Sequence, residues 1–147
     1  MDKRIAAFIE KQKTASVCCL DDAGNPYCFS VFFVFDEERQ QLYFKSSANS
    51  KHAQFLSKNI HIAGTILPDK LNLLAIRGVQ FTGFIKRDQS SPAETSRDEY
   101  HKHIPLAFTM PGEVWTIQLE TVKFTDNSLG FGKKIFWRKE DIVEVNE

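Results

Sequence analysis

Residues equipped for anion chemistry gather in two segments of this chain. The first is Lys45-Ser46-Ser47-Ala48-Asn49-Ser50-Lys51-His52, where a strand hands over to a helix with Ser50 as its N-cap. A helix start presents unpaired N–H groups and the positive end of its dipole. With hydroxyls at Ser46, Ser47 and Ser50 and the compact charge of Lys51, this junction could hold a phosphate without a glycine-rich loop. An ordinary cap beside a solvated lysine uses the same residues. The second segment runs Thr125-Asp126-Asn127-Ser128-Leu129-Gly130-Phe131-Gly132-Lys133-Lys134-Ile135-Phe136-Trp137. A hairpin turn needs Asn or Gly at positive φ. It does not need two glycines alternating with Phe131, then Lys133 and Lys134, then Trp137. Such a run suits a backbone lying close to a planar anion, with cations for its charge and a ring beside its plane. A glycine-rich turn with solvated lysines and core aromatics accounts for it too, so both readings stay open.

Gln80 is the third candidate. It shares a strand face with Ile76 and Gly78, and an amide among apolar neighbours requires partners. Backbone at a bulge would supply them, and so would the edge of a heterocycle. Arg77, on the opposite face, is expected to meet a carboxylate or solvent. The chain has no Gly-x-Ser-x-Gly, no Gly-x-Gly-x-x-Gly and no Walker pattern. No general base stands out, so no catalytic residue is assigned and any chemistry is left to a cofactor. His52, His61, His101 and His103 lack ligand spacing on a shared element, which argues against a metal. His101 and His103 close a helix, where positive charge is favourable, and their expected role is structural. Cys18, Cys19 and Cys28 make no disulfide framework and read as small buried hydrophobes in a reducing compartment.

The elements that must position these residues follow from periodicity. Ile5, Phe8 and Ile9 predict an amphipathic helix over 2–13 with Asp2 as cap. Strands are expected at Thr14–Leu20, Tyr27–Asp36, Gln41–Ser46, Ile60–Leu67, Asn72–Arg87, Glu113–Phe124 and Lys133–Arg138. Helices are expected from Ser50 to about 58 and, from the Ser91-Pro92-Ala93-Glu94 capping box, to about His103. Tyr27–Asp36 is apolar on both faces, so both faces must be covered. Gly78 and Gly83 predict bulges or a sharp bend. Antiparallel strands with a few short helices imply an α+β, mainly β fold: a β-barrel, a single domain over 1–147.

Bulk properties narrow the function. Formal net charge is +0, so no global field draws the chain to nucleic acid or an anionic membrane. Its start, Met1-Asp2-Lys3-Arg4, has no apolar signal core, and no run is long enough to span a bilayer. The expected location is the cytoplasm.

In order, these pieces resemble the FMN-binding split-barrel superfamily typified by pyridoxamine 5′-phosphate oxidase, and most closely its YhbP-like branch. The likeness rests on Ile76-Arg77-Gly78-Val79-Gln80-Phe81, on Lys123 through Lys134, and on Trp137. It implies a Greek-key-like split β-barrel and a homodimer with two FMN sites at the subunit interface, built from both chains. By position, Ser46, Ser47, Ser50, Lys51 and His52 would hold the flavin phosphate. Gln80 would stand near the flavin, and Lys133, Lys134 and Trp137 would close the site. The chain departs from the oxidase in two places. No Lys or Arg occurs between Lys13 and Arg39, and Lys134-Ile135-Phe136 replaces the Arg-x-His pair that grips the vitamin's phosphate. The implied function is a flavin-dependent oxidoreductase of unassigned substrate. The alternatives are a non-catalytic module for flavin, haem or pyridoxal phosphate, and a ligand-free structural dimer.

Overall fold

Strict alternation in the first strand shows how the chain builds its core. In β1 (Thr14–Leu20), Ala15, Val17 and Cys19 are buried and their neighbours are not, as a strand with one face inward must be. The computed structural model describes residues 1–86, 92–130 and 132–140. After β1 come β2 (Pro26–Asp36), β3 (Gln41–Ser46), β4 (His61–Ile66), β5 (Arg77–Ile85), β6 (Glu113–Asp126) and β7 (Lys134–Arg138). The helices are α1 (Lys3–Glu10), α2 (Lys51–Leu56) and α3 (Pro92–His103). Strands pair antiparallel in the order β3-β2-β1-β4-β5-β6, and β3 also pairs β6. That last pairing closes a six-stranded barrel, which removes its free edges. The far half of β6 runs on beyond the closure and carries β7 on its free side.

Gly83 makes the closure possible. The β5–β6 register slips between Thr82 and Gly83, leaving Glu120 as the extra residue on β6. A Cβ at Gly83 would collide with the Gln118 carbonyl, so the strands approach there only because the side chain is missing. The bulge expected at Gly83 is therefore present, whereas the register passes Gly78 without a shift.

Inside the barrel, Phe44, Leu119 and Phe124 are wholly buried, and α1 plugs one end with Ile5, Phe8 and Ile9. Asp2 caps α1 by accepting from the Arg4 N–H at 2.8 Å, as its residue type predicts. A buried polar chain also crosses the wall. Gln118 accepts from Gln41 Nε2 at 3.0 Å, and the Tyr43 hydroxyl donates to Asp36 at 2.7 Å.

Three expectations need correction. Residues 72–76 are not strand: the Asn72 side chain takes the Leu74 N–H at 3.0 Å and makes a turn, a competition Asn often wins. The second face of β2 is covered only in part. Tyr100 and Ala107, from α3 and the 3-10 turn after it, pack over Val34, while Cys28, Ser30 and Phe32 are exposed. The cysteines also differ from one another, with Cys19 buried, Cys18 half-buried and Cys28 exposed. The Ser91 cap expected for α3 lies outside the described residues. Among the described residues, no helix is long and apolar enough to cross a membrane.

Candidate functional site

Outward-facing residues of β4, β5, β6 and β7 line up in two rows. Antiparallel register places Thr65, Gln80, Lys123 and Phe136 side by side in one row. Ala63, Thr82, Thr121 and Arg138 form the next, and Cys18 of β1 extends it. These rows floor an open groove of about 850 Å³, bordered also by Trp137. That volume falls in the range of small-molecule and cofactor sites. The Thr82 and Thr121 hydroxyls hydrogen-bond each other at 2.6 Å. Gln80 is exposed on this face. It is not the buried amide its apolar neighbours predicted, because Ile76 precedes the strand and Gly78 offers no side chain. Trp137 turns toward the barrel and packs on its core, leaving Phe136, 71% exposed, as the ring on the open side.

The β3–α2 junction is a separate cluster. Ser50 Oγ accepts from the Ala53 N–H at 3.2 Å and donates to the Ser47 carbonyl at 2.9 Å. Ser46 Oγ meets His52 Nε2, and the His52 ring stacks on Phe29 with centroids 3.9 Å apart. Burial pushes His52 below its ordinary range, so at neutral pH it offers a hydrogen bond and no charge. Lys51 is exposed and supplies the cation of this junction. Among the described residues, no hydrogen bond, ion pair or ring contact joins Ser46–His52 to Gln80, Lys133, Lys134 or Trp137.

Lys133 and Lys134 are also exposed. Their position is set by Asp126, which accepts from the Ser128 N–H at 2.9 Å and from Arg77 Nε at 3.2 Å. Arg77 thus finds the carboxylate expected for it. Gly130 and Gly132 take positive φ, 130° and 68°, values that strain any residue with a Cβ. Phe131 lies outside the described residues. Register is what assembles Lys123, Phe136, Thr65 and Arg138. Alternation along each strand hints at their face, but nothing in a single sequence aligns one strand with the next.

A second feature lies behind β3. Lys45 Nζ sits 3.0 Å from His101 Nε2 and 2.6 Å from the Ala107 carbonyl, and His101 is 5% exposed with its ring on Phe108. Burial first, then the Lys45 charge, holds His101 below its ordinary range. A histidine kept neutral by folding binds a proton more readily when unfolded. Its share of stability is complete above the unfolded value of about 6.5 and is lost as pH falls toward the folded one. Urea midpoints are expected to begin falling below that pH. His101→Gln should flatten the decline, and an unchanged pH profile in that variant would refute the assignment.

Among the described residues, no three His, Cys, Asp or Glu side chains gather to hold a metal. No family model matches the chain. In a solved haem-binding protein from Mycobacterium smegmatis the fold recurs with TM-score 0.74 and 16% identity, over 91% of this chain and 55% of that one. An FAD-binding protein from Mesorhizobium loti gives TM-score 0.63 and 14% identity, over 83% and 92%. A Clostridium acetobutylicum protein of the pyridoxinephosphate oxidase family gives TM-score 0.64 and 14% identity, over 92% of each chain. At these identities the shared property is the split-barrel fold. The sequence of UPF0306 protein YhbP from Escherichia coli O7:K1 is 34% identical over 140 residues, 95% of each chain. Identity at that level along nearly the whole length, on a closed barrel with the β6–β7 extension, means that the chain belongs to the UPF0306 YhbP family.

Proposed function

We propose that this protein binds FMN, with the isoalloxazine in the groove floored by Gln80, Lys123 and Phe136. The observation that carries the reading is that row. An amide offers both a donor and an acceptor to a heterocycle's edge, a cation stands next to it, and a ring stands next to that. The groove holds enough volume for a tricycle, and its walls are mainly apolar. Neighbours in fold, one an FAD-binding protein and one of the pyridoxinephosphate oxidase family, support the same class of ligand. When bound, FMN supplies hydride or electron transfer. The chain's part is to orient the ring through Gln80, to balance its charge with Lys123 and Arg138, and to exclude water with Phe136.

The Ser46–His52 junction enters this reading through a second copy, which would bring its hydroxyls and Lys51 to the phosphate end of the other copy's groove. What supports a second copy is the segment between β4 and β5. There Leu71, Leu73 and Leu74 are 72%, 87% and 95% exposed, a run of apolar surface that monomers rarely leave open. Light scattering is expected to give twice the chain mass, with Leu73→Glu shifting it toward the monomer.

The direct test is titration with FMN, read by flavin absorbance and by melting. Ligand at 100 times its Kd adds about 2.7 kcal/mol of stability. Lys123→Ala is expected to weaken binding about tenfold, the low end for one charge-assisted hydrogen bond, with the melting point of the free protein unchanged. A melting curve that ignores saturating FMN overturns the proposal. Haem and pyridoxal phosphate belong in the same titration, since a neighbour in fold is named for haem. Among the described residues that line the groove there is no histidine to ligate iron, and the Cys28 thiol, then burial, pushes the thiol of Cys18 there up toward the protonated form. FMN is the expected ligand.

A further inference from the structure

Cys18 and Cys28 face each other across β1 and β2. The hydrogen bonds at either end of this pair of strands fix the phase of the ladder. The Phe33 N–H donates to the Lys13 carbonyl at 3.0 Å, and the Asp21 N–H to the Asn25 carbonyl at 2.8 Å. Both are directly opposed pairs in the register that matches Cys18 to Cys28, and opposed pairs alternate between bonded and non-bonded along an antiparallel ladder. Lys13 and Asp21 are bonded positions, so the odd-numbered residues of β1 are bonded and the even-numbered ones are not. Cys18 and Cys28 therefore occupy a non-hydrogen-bonded pair. Cα atoms lie about 4.5 Å apart at such a site, with the side chains at their closest. A disulfide accepts Cα separations of about 4.4–6.8 Å. Cys19 cannot compete: it points to the barrel interior and is buried, as the next residue on a strand must when its neighbour faces out.

The surroundings mark the pair as unusual. The same outer face carries small hydroxyl residues at Ser16, Ser30, Thr65, Thr82 and Thr121, and a solvent-facing strand needs nothing more reactive. Cys28 is exposed and Cys18 half-buried at the border of the groove, so one thiol is open to reagents and the other stands behind it.

We propose that Cys18 and Cys28 are a two-electron redox site that closes reversibly into a cross-strand disulfide, with a small-molecule disulfide as the oxidant. The exposed Cys28 loses its proton and attacks one sulfur of the reagent, releasing one small thiolate and leaving a mixed disulfide on Cys28. Cys18 then loses its proton and attacks the Cys28 sulfur, expelling the second small thiolate. Two protein thiols and one reagent disulfide become one protein disulfide and two reagent thiols. The thiols lose two electrons and the reagent gains them. In a reducing compartment such bridges are transient and serve redox sensing or catalysis, and exposed ones are the readily reversed class. Closure would tie β1 to β2 beside their hairpin and reshape the groove wall where Cys18 stands. The inference does not depend on FMN.

The test equilibrates the purified protein in glutathione buffers from fully reduced to fully oxidised, quenches it in acid, alkylates it and measures its mass. Two of the three thiols are expected to disappear together, with the chain lighter by two hydrogens and no glutathione attached, and excess dithiol should restore both. No Lys or Arg lies between Lys13 and Arg39, so one tryptic peptide holds all three cysteines and shows the bridge directly. Cleavage before Asp21 then separates Cys18 and Cys19 from Cys28 and, after differential alkylation, identifies which sulfur was used. Cys28→Ser and Cys18→Ser should each lose the paired oxidation, whereas Cys19→Ala should keep it. Three alkylatable thiols at the oxidising limit would overturn the proposal. So would a stable glutathione adduct without ring closure, a bridge using Cys19, or a bridge between chains.

Discussion

Phe124→Ala is expected to destabilise the protein by about 3–5 kcal/mol, the range for deleting a fully buried aromatic side chain. Phe124 is 0% exposed, and its ring lies 5.0 Å from that of Phe8, which α1 inserts into the barrel end. The Arg77 guanidinium caps both rings, 5.2 Å from the Phe8 centroid and 5.8 Å from that of Phe124. Removing the ring therefore leaves a cavity and also strips Phe8 of α1 of its ring contact on β6. An eight-residue helix has little stability of its own, so the loss should include part of the helix signal as well as a lower midpoint. In urea the midpoint should fall with an unchanged slope, and the melting point should drop on the order of 10 °C. Phe124→Leu should recover most of the loss. A Phe124→Ala variant within about 1 kcal/mol of wild type would show that α1 docks by other contacts.

That prediction draws on features the sequence already displays. The apolar i, i+3, i+4 spacing of Ile5, Phe8 and Ile9 and the capping side chain of Asp2 are local signals, and local signals fix α1. The Ser50 cap of α2 and the Gly83 bulge are legible for the same reason: each depends on the chemistry of one residue and its immediate neighbours. Failures begin where a neighbour in space decides. Leu73, Leu74 and Ile76 are apolar enough for a strand, yet Asn72 turns the chain at Leu73 and Leu74, and only the Ile76 carbonyl reaches β6, accepting the Asn127 N–H at 3.0 Å. Cys28 and Gln80 look buried from their flanking residues and are exposed, because among the described residues no second layer covers the part of the face each occupies. Val34, on the same face of β2 as Cys28, is buried where α3 and the 3-10 turn after it pack over that face. The groove is the extreme case. Its row of Thr65, Gln80, Lys123 and Phe136 draws on four strands whose alignment is set by a bulge and a barrel closure. In the motif at 125–137 the residues whose types suggest chemistry are Lys133, Lys134 and Trp137. Phe136, between them, presents its ring on the open side of the groove, and only the pairing of β7 with β6 reveals it.

Asp126→Ala should cost about 3 kcal/mol, the lower end for breaking a buried ion pair, because Arg77 keeps 40% of its side chain in water while Asp126 keeps 6%. Asp126 does three things at once. It anchors Arg77 over the two core rings, accepts from the Ser128 hydroxyl at 2.6 Å, and caps the 3-10 turn through the Ser128 N–H. Losing it frees the loop that leads to Lys133 and Lys134, so β7 should fray in hydrogen exchange before the barrel does. Burial opposes ionisation of this carboxyl, but the Ser128 donors and Arg77 outweigh it and hold the group below its ordinary range. Asp36 is lowered in the same way, burial being overcome by the Arg39 N–H, the Tyr43 hydroxyl and the Arg39 side chain. A carboxyl depressed by folding contributes fully above its unfolded value of about 3.9, and the contribution is lost as pH falls through the folded value. Wild type should therefore lose stability in two stages, the first below about pH 6.5 from neutral histidines and a steeper one below about pH 4 from Asp36 and Asp126. Asp126→Asn isolates the charge from the shape, since its amide still accepts from Ser128 but no longer pairs with Arg77 as an anion. Its midpoints should lie closer to wild type at pH 3 than at pH 7. If the gap is as wide at pH 3 as at pH 7, the Asp126 charge is not what secures the β6–β7 loop, and the cap alone must be holding it.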